Sequence, residues 1–285
     1  MITALTTILS DLSSLAYVRK TCSFLLGRQI IRPHGVQGLF LGVFGEEEDS
    51  DEEAPLDKLE QIARLLRSIP KGFPEEVRNL EICAITFTSI VFQDYYRIIT
   101  SQLLSILSST ESTMPTTYKR AAAFTISTLL SQKDSPTSSR ILLPSLHKPF
   151  IHVTQATSRR SHDDELTALK SLQAIQSLLV NTDPSPNLIS RLLTPIIPPL
   201  YALSGTLDEH RTSDPALKAS VHGLLNTWGR LIGTEEGSAC IWLIVEGEGG
   251  YWKVNITGEV TKVEKRYYPI CHSIERENAN MRCPV

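Results

Sequence analysis

Three stretches of this chain carry the same apolar stripe, and their spacing restricts the possible folds more than any other property of the sequence. Ala168, Leu172, Ile175 and Leu179 stand at offsets of 0, 4, 7 and 11, and Leu217, Val221, Leu224 and Trp228 repeat those offsets. Within YKRAAAFTISTLL, Ala122, Ile126 and Leu129 supply the first three. Such offsets put every member on one face of an α-helix. The first positions of the three stripes lie 46 and 49 residues apart, close to the roughly 40 to 47 residues of HEAT and armadillo units.

The partners of these helices are legible too. DYYRIITSQLLSIL precedes the first striped run across the polar connector SSTESTMPTT, which holds Pro115, so Asp94 to Leu130 reads as a helical hairpin. The alanines of the second run let another helix approach closely. RILLPSLHKPFI precedes the second run and LISRLLTPIIPPLYAL the third. A proline late in such a helix kinks or ends it, as in HEAT-type hairpins. The expected fold is therefore all-α, a HEAT/armadillo-like α-solenoid; the competing reading is an irregular all-α domain whose spacing coincides by chance.

Repeat stacking makes one elongated body of the 285 residues rather than separate domains. The organisation expected is a partial helical repeat over 1–45, an acidic disordered loop over 46–55, helical repeats over 56–237, a small β-hairpin over 238–265 and an irregular tail over 266–285. The hairpin is read from ACIWLIVEGEGGYWKVNITGEV: an aromatic strand, a turn at Gly247 to Gly250, and a second strand. VRKTCSFLLGRQIIRPHGVQGLFLGVFGE is expected to form a basic connector and a short apolar helix ending at Gly45. Leu56, Leu59, Ile62, Ala63, Leu65 and Leu66 open an amphipathic helix that stops at Pro70. Because Ile2 to Ala16 already resembles the end of an inner helix, with no capping unit before it, the chain is expected to be a fragment or an incomplete gene model.

Charge and composition narrow the function classes. The formal net charge of −3 is uneven, because EEEDSDEE at Glu46 to Glu53 carries seven acidic residues. The remainder is mildly basic, at about +4, and neither figure suggests direct nucleic-acid binding. A hydrophobic content of 41% with a mean hydropathy near −0.05 fits a soluble protein. The longest compact apolar stretch, ICAITFTSIVF, is 11 residues, well short of the ~20 that a membrane helix needs. Cys22, Cys83, Cys240, Cys271 and Cys283 are scattered and odd in number, as expected of reduced thiols in a cytosolic or nuclear protein. No basic n-region precedes the opening MITALTTILSDL, so no secretory signal is expected.

No catalytic or cofactor constellation emerges. GEGG lacks the Lys-Ser/Thr and the helix start of a phosphate loop and reads as a turn. Cys271, His272 and Cys283 fall short of four zinc ligands at finger spacing. His162, Asp163 and Asp164 stand where a helix is expected to begin, which points to N-terminal capping rather than acid/base catalysis. There is no GxSxG elbow. Asn255-Ile256-Thr257 matches a glycosylation sequon that carries no weight without a secretory signal. Catalytic, cofactor and metal sites are thus all expected to be absent.

The order PLDKLEQIARLLRSIPKG, PEE, YYRIITSQLLSIL, YKRAAAFTISTLL and EEGSACIWLIVEGEGGYWKV resembles the C-terminal region of the fungal RNA polymerase II assembly and nuclear-transport factors, whose animal relatives are the transport and Golgi organisation protein 6 family. YKRAAAFTIS and IVEGEGGYWKV are the most specific pieces, and the resemblance runs from Met1 to about Lys265. It implies a non-enzymatic adaptor in the cytoplasm, shuttling to the nucleus, with RNA polymerase II subunits and nuclear transport factors as partners. The alternative it implies is a peripheral trafficking factor in secretion and Golgi organisation. Relatives pass almost directly from PEE to DYYRIITSQLL, whereas here 17 residues, Val77 to Gln93, intervene. Val-Arg can be encoded by GTGAGR and Phe-Gln by TTYCAG, the sequences of intron ends, so this insert reads as a retained, frame-preserving intron.

For a partner site, Lys119 and Arg120 at the start of one inner helix and Lys218 at the start of another are expected to form a basic ridge. An acidic client segment is its natural complement. Trp242 and Trp252 are the next candidates.

Overall fold

The computed structural model describes residues 1–10, 15–45, 54–67, 84–109, 114–131, 136–152, 166–183, 185–209, 214–255 and 260–263. Its organising feature is a succession of antiparallel helix pairs. α3 (Gly35–Phe44) pairs with α4 (Leu56–Arg67), α5 (Ala84–Leu107) with α6 (Thr116–Ser131), and α7 (Pro136–Ile151) with α8 (Ala168–Val180). In the next unit α9 (Pro186–Leu193) and α10 (Ile197–Glu209) together face α11 (Pro215–Leu231). α4, α6, α8 and α11 lie side by side as one layer, and α3, α5, α7 and α10 as the other. This is the two-layer stacking of an α-solenoid, so the core is a continuous seam between layers. α1 (Ile2–Ser10) and α2 (Ala16–Ile30) close one end against α3.

The stripes face that seam. Ala122, Ile126 and Leu129, then Ala168, Leu172 and Ile175, then Leu217, Val221, Leu224 and Trp228 are all buried, while Leu179 is only half-buried. Local chemistry starts the helices. Thr167 caps α8 by accepting from Lys170 N at 3.3 Å, Ser185 caps α9 by accepting from Leu188 N at 3.2 Å, and Asp214 caps α11 by accepting from Ala216 N at 2.9 Å. Pro186 and Pro215 fill first-turn positions whose missing N–H is no loss. Thr167, not His162 to Asp164, therefore begins α8, and those acidic residues lie outside the described segments. The prolines act unequally: α7 runs through Pro144 and Pro149, whereas Pro195 sits in a 3-10 turn, Thr194–Ile196, that separates α9 from α10.

Two elements depart from the sequence reading. The expected basic connector around Val18 to Lys20 is part of α2, because Cys22, Leu26 and Ile30 form a buried stripe at intervals of four. Gln102 of α5 locks the corner that follows: its Nε2 donates to the Ile30 carbonyl at 3.1 Å and its Oε1 accepts from Val36 N at 2.9 Å. Gly35 is required there, since a Cβ would stand 2.3 Å from the carbonyl oxygens of Gln29 and Ile30.

The other departure is ACIWLIV. The residues expected to form the first strand belong to a helix, α12 (Thr234–Val245), which packs on α10 through buried Gly237 and Cys240 and half-buried Ile244. Glu235 and Glu236 in its first turn suit the positive helix end, and that spacing of three and four overrides the strand preference of the β-branched side chains. Gly247 to Gly250 turn the chain from helix to strand, with φ of 81° at Gly247 and 72° at Gly250. The hairpin itself is β1 (Tyr251–Val254) antiparallel to β2 (Val260–Val263), Tyr251 opposite Val263 and Val254 opposite Val260. A small C-terminal hairpin thus exists, displaced past the glycines. Of the 17-residue insert, residues 84–93 continue into α5 as one helix, and residues 77–83 lie outside the described segments, as do the acidic run at 46–53 and the tail beyond 263.

Candidate partner-binding surfaces

The basic ridge does not assemble. Lys119 is buried, because α6 has α4 on one side, α8 on the other and α5 across the seam, leaving its first turn little open surface. Arg120 is half-buried. Lys218 on α11 is committed to an ion pair with Asp208 at the end of α10. The hydrogen bond from Lys218 holds the Asp208 carboxyl below its usual range, and His222, 3.9 Å from the other carboxylate oxygen, adds to it. α8 lies between α6 and α11, so Lys119 and Arg120 on α6 are separated from Lys218 on α11 by a whole helix.

The two tryptophans have opposite fates. Trp252 on β1 is 7% exposed, its ring 6.2 Å from that of Phe150 at the end of α7. Lys262, directly opposite Trp252 on the facing strand, is also buried and donates from Nζ to the Phe150 carbonyl at 2.8 Å and the Ile151 carbonyl at 3.2 Å. Those carbonyls are orphan acceptors of a helix end, and a cation at that end also suits the dipole. Burial pulls the Lys262 amine below its ordinary pKa. A Cβ at Gly249 would lie 2.5 Å from the Pro198 carbonyl, so the turn is pressed against α10 as well. The hairpin packs on α10 and α8 and clamps the end of α7 through Lys262 and Trp252, so Trp252 is part of its packing.

Trp242 points outward. It is 63% exposed, with Ile241 at 55% and Val245 at 70%, three apolar side chains that helical spacing places on one face of α12. Leu243 adds a fourth exposed apolar group. The helix is held in place from its other side. Glu236 Oε1 accepts from Ser190 Oγ at 2.6 Å and from Thr194 Oγ1 at 2.7 Å, and Thr194 Oγ1 accepts in turn from Trp228 Nε1 at 3.0 Å. Those two hydroxyl donors hold the Glu236 carboxyl below its usual range, and burial pushes the Cys240 thiol up. α9, α11 and α12 are thus tied through one chain of hydrogen bonds. The outer face ends in exposed acids, Glu235 at one end and Glu246 and Glu248 at the other, and no Lys or Arg occurs from Thr234 to Glu248.

The remaining polar groups of the interior are structural. His147 Nε2 donates to the Leu192 carbonyl at 2.8 Å, and burial lowers its pKa. Ser171 Oγ donates to the Leu146 carbonyl at 2.6 Å. Tyr95 donates to the Leu66 carbonyl at 3.0 Å and closes the end of α4. A shallow cleft of about 340 Å³ along α7 is lined by Pro144, Ser145, His147, Lys148, Ile151 and His152 among others; Ser145 Oγ donates to the Ile141 carbonyl and His147 Nε2 to the Leu192 carbonyl, so both side chains are bonded to backbone. Among the described residues no group of three metal-ligating side chains converges. Cys271, His272 and Cys283 lie outside the described residues. Gln102, Glu236 and Lys262 tie distant elements together, and the sequence reading missed all three. Their partners lie 42 to 112 positions away, beyond the reach of any local pattern.

A family model described as Transport and Golgi organization protein 6 homolog, ARM-like repeat, matches residues 30–228, from the last residue of α2 into α11. No curated protein and no solved structure matches the chain. Among the described residues no helix is long and apolar enough to cross a membrane.

Proposed function

We propose, from the premise that this chain belongs to the Transport and Golgi organization protein 6 homolog family of ARM-like repeats, that it is a non-enzymatic adaptor for the cytoplasmic assembly and nuclear import of RNA polymerase II. The observation that carries the adaptor reading is the stack of four helix pairs, whose polar groups are spent on holding helices together while an apolar face remains open on α12. An α-solenoid offers extended surface to protein clients. The polymerase client rests on the resemblance of YKRAAAFTIS and IVEGEGGYWKV to the polymerase-assembly factors. In this reading the protein works in the cytoplasm and shuttles to the nucleus with its cargo.

A second reading has its own support. The family's name refers to transport and Golgi organisation, which favours a peripheral trafficking factor in protein secretion. Affinity purification of the tagged chain from cytosol, followed by identification of what co-purifies, separates the two. Polymerase subunits and import factors are expected; coat or tether proteins in their place would replace the first reading by the second, and an empty eluate would remove the adaptor reading altogether.

A further inference from the structure

We infer that the outer face of α12 is a docking site for a basic-flanked amphipathic helix of a client protein. The inference deepens the adaptor reading and rests on it, but not on which client is correct. α12 extends the layer formed by α3, α5, α7 and α10, packing on α10 as α10 packs on α7. Each earlier helix of that layer packs extensively on a second-layer partner, α4, α6, α8 or α11; α12 has no such extensive packing on a second-layer helix among the described residues. The hairpin does not fill the position, since β1 packs on α10 and β2 on α8. What α12 presents instead is Ile241, Trp242 and Val245, more than half exposed each. Three large apolar side chains on one helical face are the complement of an i, i+3, i+4 ridge on a second helix.

Charge selects the occupant. The segment Thr234–Glu248 exposes Glu235, Glu246 and Glu248, turns Glu236 inward to Ser190 and Thr194, and holds no Lys or Arg. Two copies of α12 laid antiparallel would set Glu235 of each against Glu246 and Glu248 of the other, and laid parallel they would set like ends together. Self-association is therefore opposed at both ends in either orientation. A helix whose apolar ridge is flanked by Lys or Arg gains at both ends instead. An exposed tryptophan at the centre of the face is the residue type that most often dominates such contacts.

The test uses two synthetic helical peptides with one shared ridge of leucines at i, i+3, i+4 and i+7, one flanked by lysines and the other by glutamates. Binding to the full chain is followed by the fluorescence anisotropy of a labelled peptide, which reads parent and variant alike, and in the parent also by tryptophan emission, because Trp228 and Trp252 are already buried and Trp242 is the exposed reporter. The lysine peptide is expected to bind saturably with a blue shift, to weaken as salt rises, and to lose at least about tenfold in affinity in the variant Trp242→Glu/Val245→Glu. Circular dichroism and the melting curve of that variant should match the parent. Equal binding of both peptides would reduce the site to apolar adhesion and overturn the proposal. So would the absence of saturable binding, or concentration-dependent dimerisation that the double substitution abolishes. Purification from cytosol with the same variant keeps the two levels apart: if the parent captures no client, the adaptor reading falls. If the parent and the folded variant capture the same client equally, only the α12 site falls.

Discussion

α6 and α12 are both apolar helices of similar character, yet they occupy opposite extremes of the molecule. From Thr117 to Leu130 no residue of α6 is exposed, whereas in α12 only Gly237 and Cys240 are buried. The difference is one of position in the stack, not of composition. A helix within a solenoid has neighbours along its layer and across the seam, so even Lys119 of α6 is enclosed; α12 packs along its layer on α10 and is tied through Glu236 to Ser190 and Thr194, and its remaining apolar surface stays exposed. In a repeat protein, then, hydrophobicity alone does not separate core from interface, and the count of flanking helices does.

The comparison is most easily broken at its buried end. Ile126→Asp places a carboxylate where three helices meet, with no partner to receive it, and should cost several kcal/mol, on the order of 4. A denaturant titration checks this; a parental midpoint would show that the buried face of α6 has been misassigned. The clamp is expected to give less. Lys262→Met leaves the Phe150 and Ile151 carbonyls without their donor while relieving a buried cation, a net loss of about 1 to 2 kcal/mol. Hydrogen exchange should rise in the last turn of α7 and in β1 while α6 is unchanged.

A smaller effect should follow from pH. Burial lowers the pKa of His147, so the folded protein binds its proton less readily than the unfolded chain does. Stability from this group is complete above the ordinary value of 6.5 and falls as pH drops below it, through the lowered folded value. His147→Gln keeps a donor for the Leu192 carbonyl and cannot titrate, so its melting temperature should depend less steeply on pH between about 6.5 and 5. Parallel profiles for parent and variant would refute the assignment. At the open end, Trp242→Glu/Val245→Glu should move stability by no more than about 0.5 kcal/mol, as for surface substitutions. A large loss in that variant would mean that the face of α12 is core after all.

Most of the stack was legible because its signal is local. The offsets of four and seven in α6, α8 and α11 follow from helix geometry, and the seam buries all but Leu179 of the residues they pick out. What failed depended on neighbours. Lys119 was expected on an open basic ridge, and nothing in its sequence surroundings tells that α4 and α8 flank its helix. ACIWLIV reads as a strand by side-chain type and is a helix because Gly237, Cys240 and Ile244 find α10 and Glu236 finds Ser190 and Thr194. Trp242 and Trp252 are ten residues apart, and only the turn at Gly247 to Gly250 sends one outward and the other against Phe150. For α2 the signal was present, Cys22, Leu26 and Ile30 at intervals of four, but the adjacent basic residues drew it into a connector.

Hydrogen–deuterium exchange on the isolated chain, read peptide by peptide, tests the contrast between α6 and α12 most directly. Exchange reports the free energy of local opening, which is largest where neighbours enclose a segment on all sides. The amides of Ala121 to Leu130 should be the slowest in the molecule, and those of Ser238 to Val245 should exchange much faster, by about a hundredfold or more. Equal protection of the two helices, or faster exchange in α6, would contradict the account of α6 as buried centre and α12 as open end.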